Sequence, residues 1–176
     1  MQNKKIILIV FCVVAAALIF FLARSGREEN RDVKESGSAP QLQVADAITN
    51  VKLLPSELQG KVLFINIWAS WCQPCMEEMP SIEALYRDMS SSREFRMITI
   101  LYKDSPEAAL GYMKSQGYTF PLYVDSDGIS AKNYGVTGVP ESFIVDKKGV
   151  LVKRVIGGMD WNSAEAKDYL QSLLKQ

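Results

Sequence analysis

The stretch KVLFINIWA, residues 61–69, constrains the fold most, because it is apolar on both of its alternating faces. A strand with one wet face alternates apolar and polar residues, so one without a polar face must be covered on both sides. Helices above and below a central sheet supply that cover, and the expected class is α/β. The rest of the pattern agrees. LQVADAITNVKLLPSELQG ahead of it reads as short edge strands and a turn. From Gln73 to about Ser90, Met79, Ile82, Leu85, Tyr86 and Met89 recur at helical spacing. FRMITILY (95–102) reads as a second strand. SPEAALGYMKSQG opens with serine and proline in cap order and stops at Gly117, which is helix punctuation. FPLYVD reads as a third strand, followed by a short helix to about Tyr134. ESFIVD, a Lys-Lys-Gly turn and VLVKRVIG read as a hairpin. A final helix is expected from about Asn162 to Lys175.

The first forty residues do not join this pattern. From Ile6 to Ala23 the chain is uncharged and largely apolar. That run of about 18 residues is near the lower limit for spanning a bilayer and shows no polar face. No small-x-small cleavage site ends it, so residues 1–23 are read as an uncleaved single-pass membrane anchor, with secretion after signal cleavage as the alternative. Lys4 and Lys5 precede the span while Arg24, Arg27 and Arg31 follow it, so the positive-inside rule does not decide orientation cleanly. A short cytoplasmic N-terminus with the large domain outside is the usual arrangement for such an anchor. Residues 24–40 are charged, small and nearly free of apolar side chains, and are expected to form a flexible tether with a reach of roughly 20–25 Å. Residues 41–176 then form the folded domain.

Composition excludes several chemistries. Formal net charge is zero and the basic residues are scattered, so no nucleic-acid footprint is present. Histidine is absent, which removes imidazole as ligand, base and thiolate partner. Cys12 lies inside the apolar run, and Cys72 and Cys75 make a Cys-x-x-Cys pair in WASWCQPC. Two cysteines without histidine fall short of a zinc or iron–sulfur ligand set. A structural clip over so short a loop would stabilise by only about 2 kcal/mol. A redox pair fits the surroundings better. Cys72 falls where the apolar strand ends and a helix begins, where unpaired N–H groups and the helix dipole favour a thiolate. Pro74 in the first turn gives up an N–H that had no partner. The i, i+3 spacing puts Cys75 one turn along the same face, within reach of Cys72. Cys72 is then the attacking sulfur and Cys75 the resolving one.

WASWCQPC after an apolar strand, together with the later GVPESFIVD, resembles the thioredoxin superfamily. Within it, the chain is similar to the membrane-anchored TlpA/ResA/CcmG (DsbE) group over about residues 41–174. The leading Leu-x-Gly-Lys-Val turn and the helix–strand insert at about 106–124 belong to that likeness. The resemblance implies a thioredoxin-like fold, a central mixed β-sheet flanked by helices behind an N-terminal transmembrane helix. It implies no cofactor or metal, since two sulfurs carry the electrons. Where plain thioredoxins carry an acid in the strand, this chain has Asn66, expected to be a buried amide meeting backbone groups. The group's acid instead follows the second cysteine by three residues, which makes Glu78 the expected proton acceptor for Cys75, with a solvated surface glutamate as the alternative. Val139-Pro140 matches the superfamily's cis-proline, and the Val139 backbone is expected to pair with a substrate strand. Glu141 matches a glutamate of the cytochrome-maturation branch and is expected with Pro140 among the substrate-binding residues, with a strand-edge charge as the alternative. Trp71, Gln73 and Pro74 flank Cys72 as further contact residues, while Trp68 and Trp161 are expected in the core.

The implied activity is extracytoplasmic thiol–disulfide reduction. Gln-Pro between the cysteines, with no histidine, favours a reductant over an oxidant. Expected partners are disulfide-containing exported proteins, apocytochrome c among them, and a membrane electron donor of the CcdA/DsbD type. Reduction of copper-binding assembly proteins and general disulfide exchange stay open. A thiol peroxidase would show Pro-x-x-x-Thr-x-x-Cys, and a Sco-type copper carrier Cys-x-x-x-Cys with histidine; both patterns are missing.

Overall fold

The computed structural model describes residues 37–176; the expected membrane span and most of the expected tether lie outside the described residues. In chain order come β1 (Ala45–Asp46), a single 3-10 turn (Pro55–Glu57), β2 (Val62–Trp68), α1 (Gln73–Met89), β3 (Phe95–Leu101) and α2 (Pro106–Gln116). β4 (Leu122–Val124), α3 (Ile129–Asn133), β5 (Glu141–Val145), β6 (Leu151–Ile156) and α4 (Ala164–Leu174) complete the domain. Among these described residues no helix is long and apolar enough to cross a membrane.

The strands form one mixed sheet in the order β1-β4-β3-β2-β5-β6. β2 pairs in parallel with β3 and antiparallel with β5, so it has a neighbour on each side. All of its residues are buried, as a strand without a polar face requires. Its alternate side chains feed two cores. Phe64 and Trp68 join Met79, Ile82, Leu85, Trp161 and Leu170 on the face covered by α1 and α4. Leu63, Ile65 and Ile67 join Ile98, Ile100, Tyr134 and Phe143 on the other. Phe64 meets Trp161 edge-on at 4.7 Å, and its truncation to alanine should cost about 3–5 kcal/mol. Asn66 therefore lies on the α1 face, a polar side chain in the larger core.

Local signals set the element ends. Ser105 caps α2 by accepting from the Ala108 N–H, and Gly117 ends it at φ 72°, a left-handed conformation that glycine adopts without a Cβ clash. Pro80 sits inside α1 and removes one intrahelical donor. The junction with the N-terminal segment is more ordered than its composition suggested. Ser38 bridges Val150, with Ala39 N–H donating to Gly149 and Leu151 N–H to Gly37, so residues 37–39 of the expected tether are pinned to the β5–β6 hairpin.

Candidate active site

Strand β2 delivers the chain to a turn whose end is the N-terminus of α1, and Cys72 is the capping residue there. Its backbone is extended (φ −94°, ψ 106°) and its sulfur accepts the Cys75 N–H at 3.2 Å. A sulfur in that position gains from the helix dipole and from an N–H that no carbonyl claims, and both favour a thiolate. The two cysteines are joined as a disulfide with Cα atoms 5.2 Å apart. Cys75 is wholly enclosed and Cys72 keeps the little exposure the pair has. Among the described residues no cluster of three or more Cys, Asp or Glu is placed to hold a metal ion.

The Val139–Pro140 peptide is cis, and the Val139 carbonyl oxygen lies 3.6 Å from Cys72 Sγ. Pro140 is buried at the start of β5, where its carbonyl accepts from Gly157 N–H at 2.9 Å. Trp71 is 57 % exposed although its indole N–H donates to the Lys103 carbonyl at 3.2 Å. Beside it, Ser70 N–H donates to Asp104 at 2.6 Å, so the loop between β3 and α2 braces the turn carrying Cys72. Gln73 and Pro74 are exposed, and the Gln73 amide reaches Glu77 on the next turn of α1. Ile156, 70 % exposed, pairs with Glu141 across β5–β6 and adds an apolar surface beside this end of the sheet. Nothing in the sequence singles out Ile156; only the register does.

Glu78 is 5 % exposed, against a solvent-facing Glu77. Its Oε1 accepts from Asn66 Nδ2 at 2.8 Å and its Oε2 from Met159 N–H at 3.2 Å. Burial raises its pKa to about 7, and the bonds from Asn66 and Met159 oppose that rise without cancelling it. The Trp161 indole also favours the anion, yet its N–H completes no hydrogen bond in this state. A cleft of about 460 Å³ lined by Pro74, Ser81, Gly158 and Met159 reaches the same carboxyl from outside. Asn66 departs from expectation. It meets side chains rather than backbone groups, Glu78 on one side and Ser142 Oγ at 2.9 Å on the other.

Glu141 departs from the edge-charge reading: β5 lies between β2 and β6, and the side chain is completely buried. Its carboxylate accepts from the N–H groups of Thr137 and Gly138, and Arg154 closes on it at 2.8 Å while also holding the Gly135 carbonyl. Glu141 and Arg154 thus fix the loop that presents Val139 and Pro140. Trp68 and Trp161 are core residues, at 0 % and 1 % exposure.

The arrangement suits thiol–disulfide exchange: a stabilised sulfur at a helix end, a second one turn on, a backbone segment beside the first, and a buried acid with a raised pKa. The redoxin family matches residues 34–173. The thiol-disulfide oxidoreductase ResA of Bacillus subtilis (strain 168) is 31 % identical over 88 % of this chain and 83 % of its own length. The thiol:disulfide interchange protein DsbE of Tatumella citrea is 31 % identical over 98 % of this chain and 95 % of its own. In fold, a thioredoxin-family thiol:disulfide interchange protein from Chlorobium tepidum TLS superposes with a TM-score of 0.68 at 23 % identity, over 80 % of this chain and 98 % of that one. The chain therefore belongs to the redoxin family and, within the thioredoxin superfamily, to the ResA- and DsbE-like thiol-disulfide oxidoreductases.

Proposed function

We propose that the protein is a membrane-tethered, extracytoplasmic thiol-disulfide reductase of exported proteins, with Cys72 attacking, Cys75 resolving and Glu78 accepting the proton. The observation that carries this reading is the Cys72 sulfur itself, which accepts the Cys75 N–H at a helix N-terminus while facing the Val139 carbonyl. In the reduced protein the Cys72 thiolate attacks a client disulfide. One client sulfur joins Cys72 and the other leaves as a thiolate. The Glu78 carboxylate takes the proton of the Cys75 thiol, whose burial otherwise keeps it protonated. Cys75 then attacks Cys72 Sγ, closes the internal disulfide and releases the second client sulfur, which picks up a proton. Two electrons pass to the client. A membrane donor of the CcdA/DsbD type returns the protein to its dithiol form.

The client approaches as an extended segment along the Val139 backbone, over the apolar surfaces of Trp71 and Ile156, with Gln73 and Pro74 at its margin. Residues 1–23 anchor the domain and the segment that follows sets its distance from the membrane; alkaline extraction should leave the protein in the membrane pellet, and release would favour a cleaved signal. The Gln-Pro pair between the cysteines supports the reducing direction. By likeness to the cytochrome-maturation branch, the client is apocytochrome c, whose haem-attachment cysteines must be reduced. Cys75→Ser leaves the mixed disulfide on Cys72 unresolved, so the captured protein can be identified directly. Apocytochrome c is expected. A copper-binding assembly protein, or many unrelated exported proteins, would replace that client, and failure to trap any protein would overturn the reductase reading.

A further inference from the structure

Asn66 holds an unbalanced position. Fully buried on β2, it donates from one amide nitrogen to both Glu78 Oε1 and Ser142 Oγ, while its own Oδ1 is buried without a partner. An orphaned buried acceptor is uncommon and calls for a physical account. The two groups facing the nitrogen differ in kind. Ionised Glu78 only accepts, whereas a Ser142 hydroxyl accepts or donates as it rotates. When Glu78 takes a proton on Oε1 it becomes a donor, and the amide N–H then meets an O–H. A half-turn of the amide exchanges its nitrogen and oxygen with little change of shape. Oδ1, orphaned before, then accepts from both Glu78 and Ser142, and the amide nitrogen takes the position that has no partner.

We propose that the Asn66 amide reverses as Glu78 gains and loses its proton, so that Asn66 and Ser142 are positioning residues holding acid and anion in the same place. This rests on the reading of Glu78 as the proton acceptor. No charged group intervenes. The partners facing Glu78 are Asn66 from β2, with Ser142 of β5 behind it, and Met159 N–H and the Trp161 indole from the segment before α4. From its own helix, Ser81 bonds to its backbone carbonyl rather than its carboxyl. A leucine at 66 would serve neither protonation state, and an aspartate would set a second charge beside the first.

The test uses the full-length chain in detergent micelles with the cysteines as a disulfide, so that neither sulfur titrates. The Glu78 carboxyl carbon and the Asn66 side-chain amide are followed by NMR across pH. The carboxyl should titrate near the value of about 7, and the Overhauser contact between the Asn66 amide protons and the Ser142 methylene should fade with the same midpoint on acidification. An unchanged contact through a titrating Glu78 overturns the reversal and leaves the proton-acceptor role standing, the proton then residing on the cleft-facing oxygen. A Glu78 that does not titrate overturns both. As a second measurement, Asn66→Leu should raise the pH midpoint of mixed-disulfide resolution by about one unit, slowing it roughly fivefold at pH 7 with recovery at pH 9. An equal loss at every pH would reduce Asn66 to packing and overturn the inference.

Discussion

Glu78 and Glu83 lie on the same helix and are almost equally buried, at 5 % and 6 % exposure, yet their surroundings drive them in opposite directions. Desolvation acts on both. At Glu78 it wins, because the carboxyl is packed round more deeply and the opposing bonds come from one amide and one N–H, and the pKa rises to about 7. At Glu83 the N–H groups of Thr119 and Phe120, the Thr119 hydroxyl and the Arg87 guanidinium together outweigh desolvation and bring the pKa below the ordinary glutamate value. Burial alone therefore does not make a proton carrier. Glu83 is a clamp between α1 and the segment following α2, whereas Glu78 is held by too few donors to stay charged cheaply.

The sharpest way to break this contrast is Glu78→Gln. Resolution of a mixed disulfide on Cys72 should slow by about 100-fold, the scale of a lost general base, and stopped-flow release of the client thiol reads it. Equal rates would make Glu78 as structural as Glu83. Next comes pH. Glu78 has a folded pKa raised from 4.5 to about 7, so the folded state retains a proton that the unfolded chain has lost. Its contribution therefore favours folding at low pH and is lost as pH rises from 4.5 towards 7, by about 3 kcal/mol in all. Urea denaturation of the wild type and Glu78→Gln should show the difference between them growing over that interval and flat above it. Glu83 has the opposite sign. Glu83→Leu should cost about 2–3 kcal/mol at neutral pH by leaving donors unpaired. That cost should shrink on acidification, as wild-type Glu83 is itself protonated below its lowered pKa, while the resolution rate stays within about threefold of wild type. The smallest effect belongs to Thr119→Val, about 1 kcal/mol, since it removes a single hydroxyl from the same clamp.

How far these roles were legible in the sequence depends on how local their causes are. KVLFINIWA announces a doubly covered strand because both faces are visible in the string itself. The cap at Ser105 and the stop at Gly117 are read from neighbours in sequence. Spacing puts Glu78 on the stripe of Cys75, Ile82 and Leu85 and Glu77 off it, but the proton-acceptor role itself was legible only through the resemblance. Glu83 is marked locally only by Arg87 four residues on; its other partners come from the loop after α2. Asn66 and Ser142 meet because β2 and β5 pair with those two residues opposite each other, a register that no single strand encodes. The Glu141–Arg154 pair is hidden for the same reason, and the strand-edge alternative for Glu141 failed because β5 is an interior strand.

The attachment of residues 37–39 to the β5–β6 turn has a mechanical consequence. β5 begins just after the cis-proline beside Cys72 and ends at that turn, so a strand's length, roughly 15 Å, separates residues 37–39 from the reacting sulfurs. Load carried by the entering chain is taken up in shear by backbone bonds at one pole of the sheet, while the disulfide occupies the other. A pull on residues 37–39 therefore reaches the sulfurs only through the length of β5, and the reactive pole lies at the opposite end of that strand.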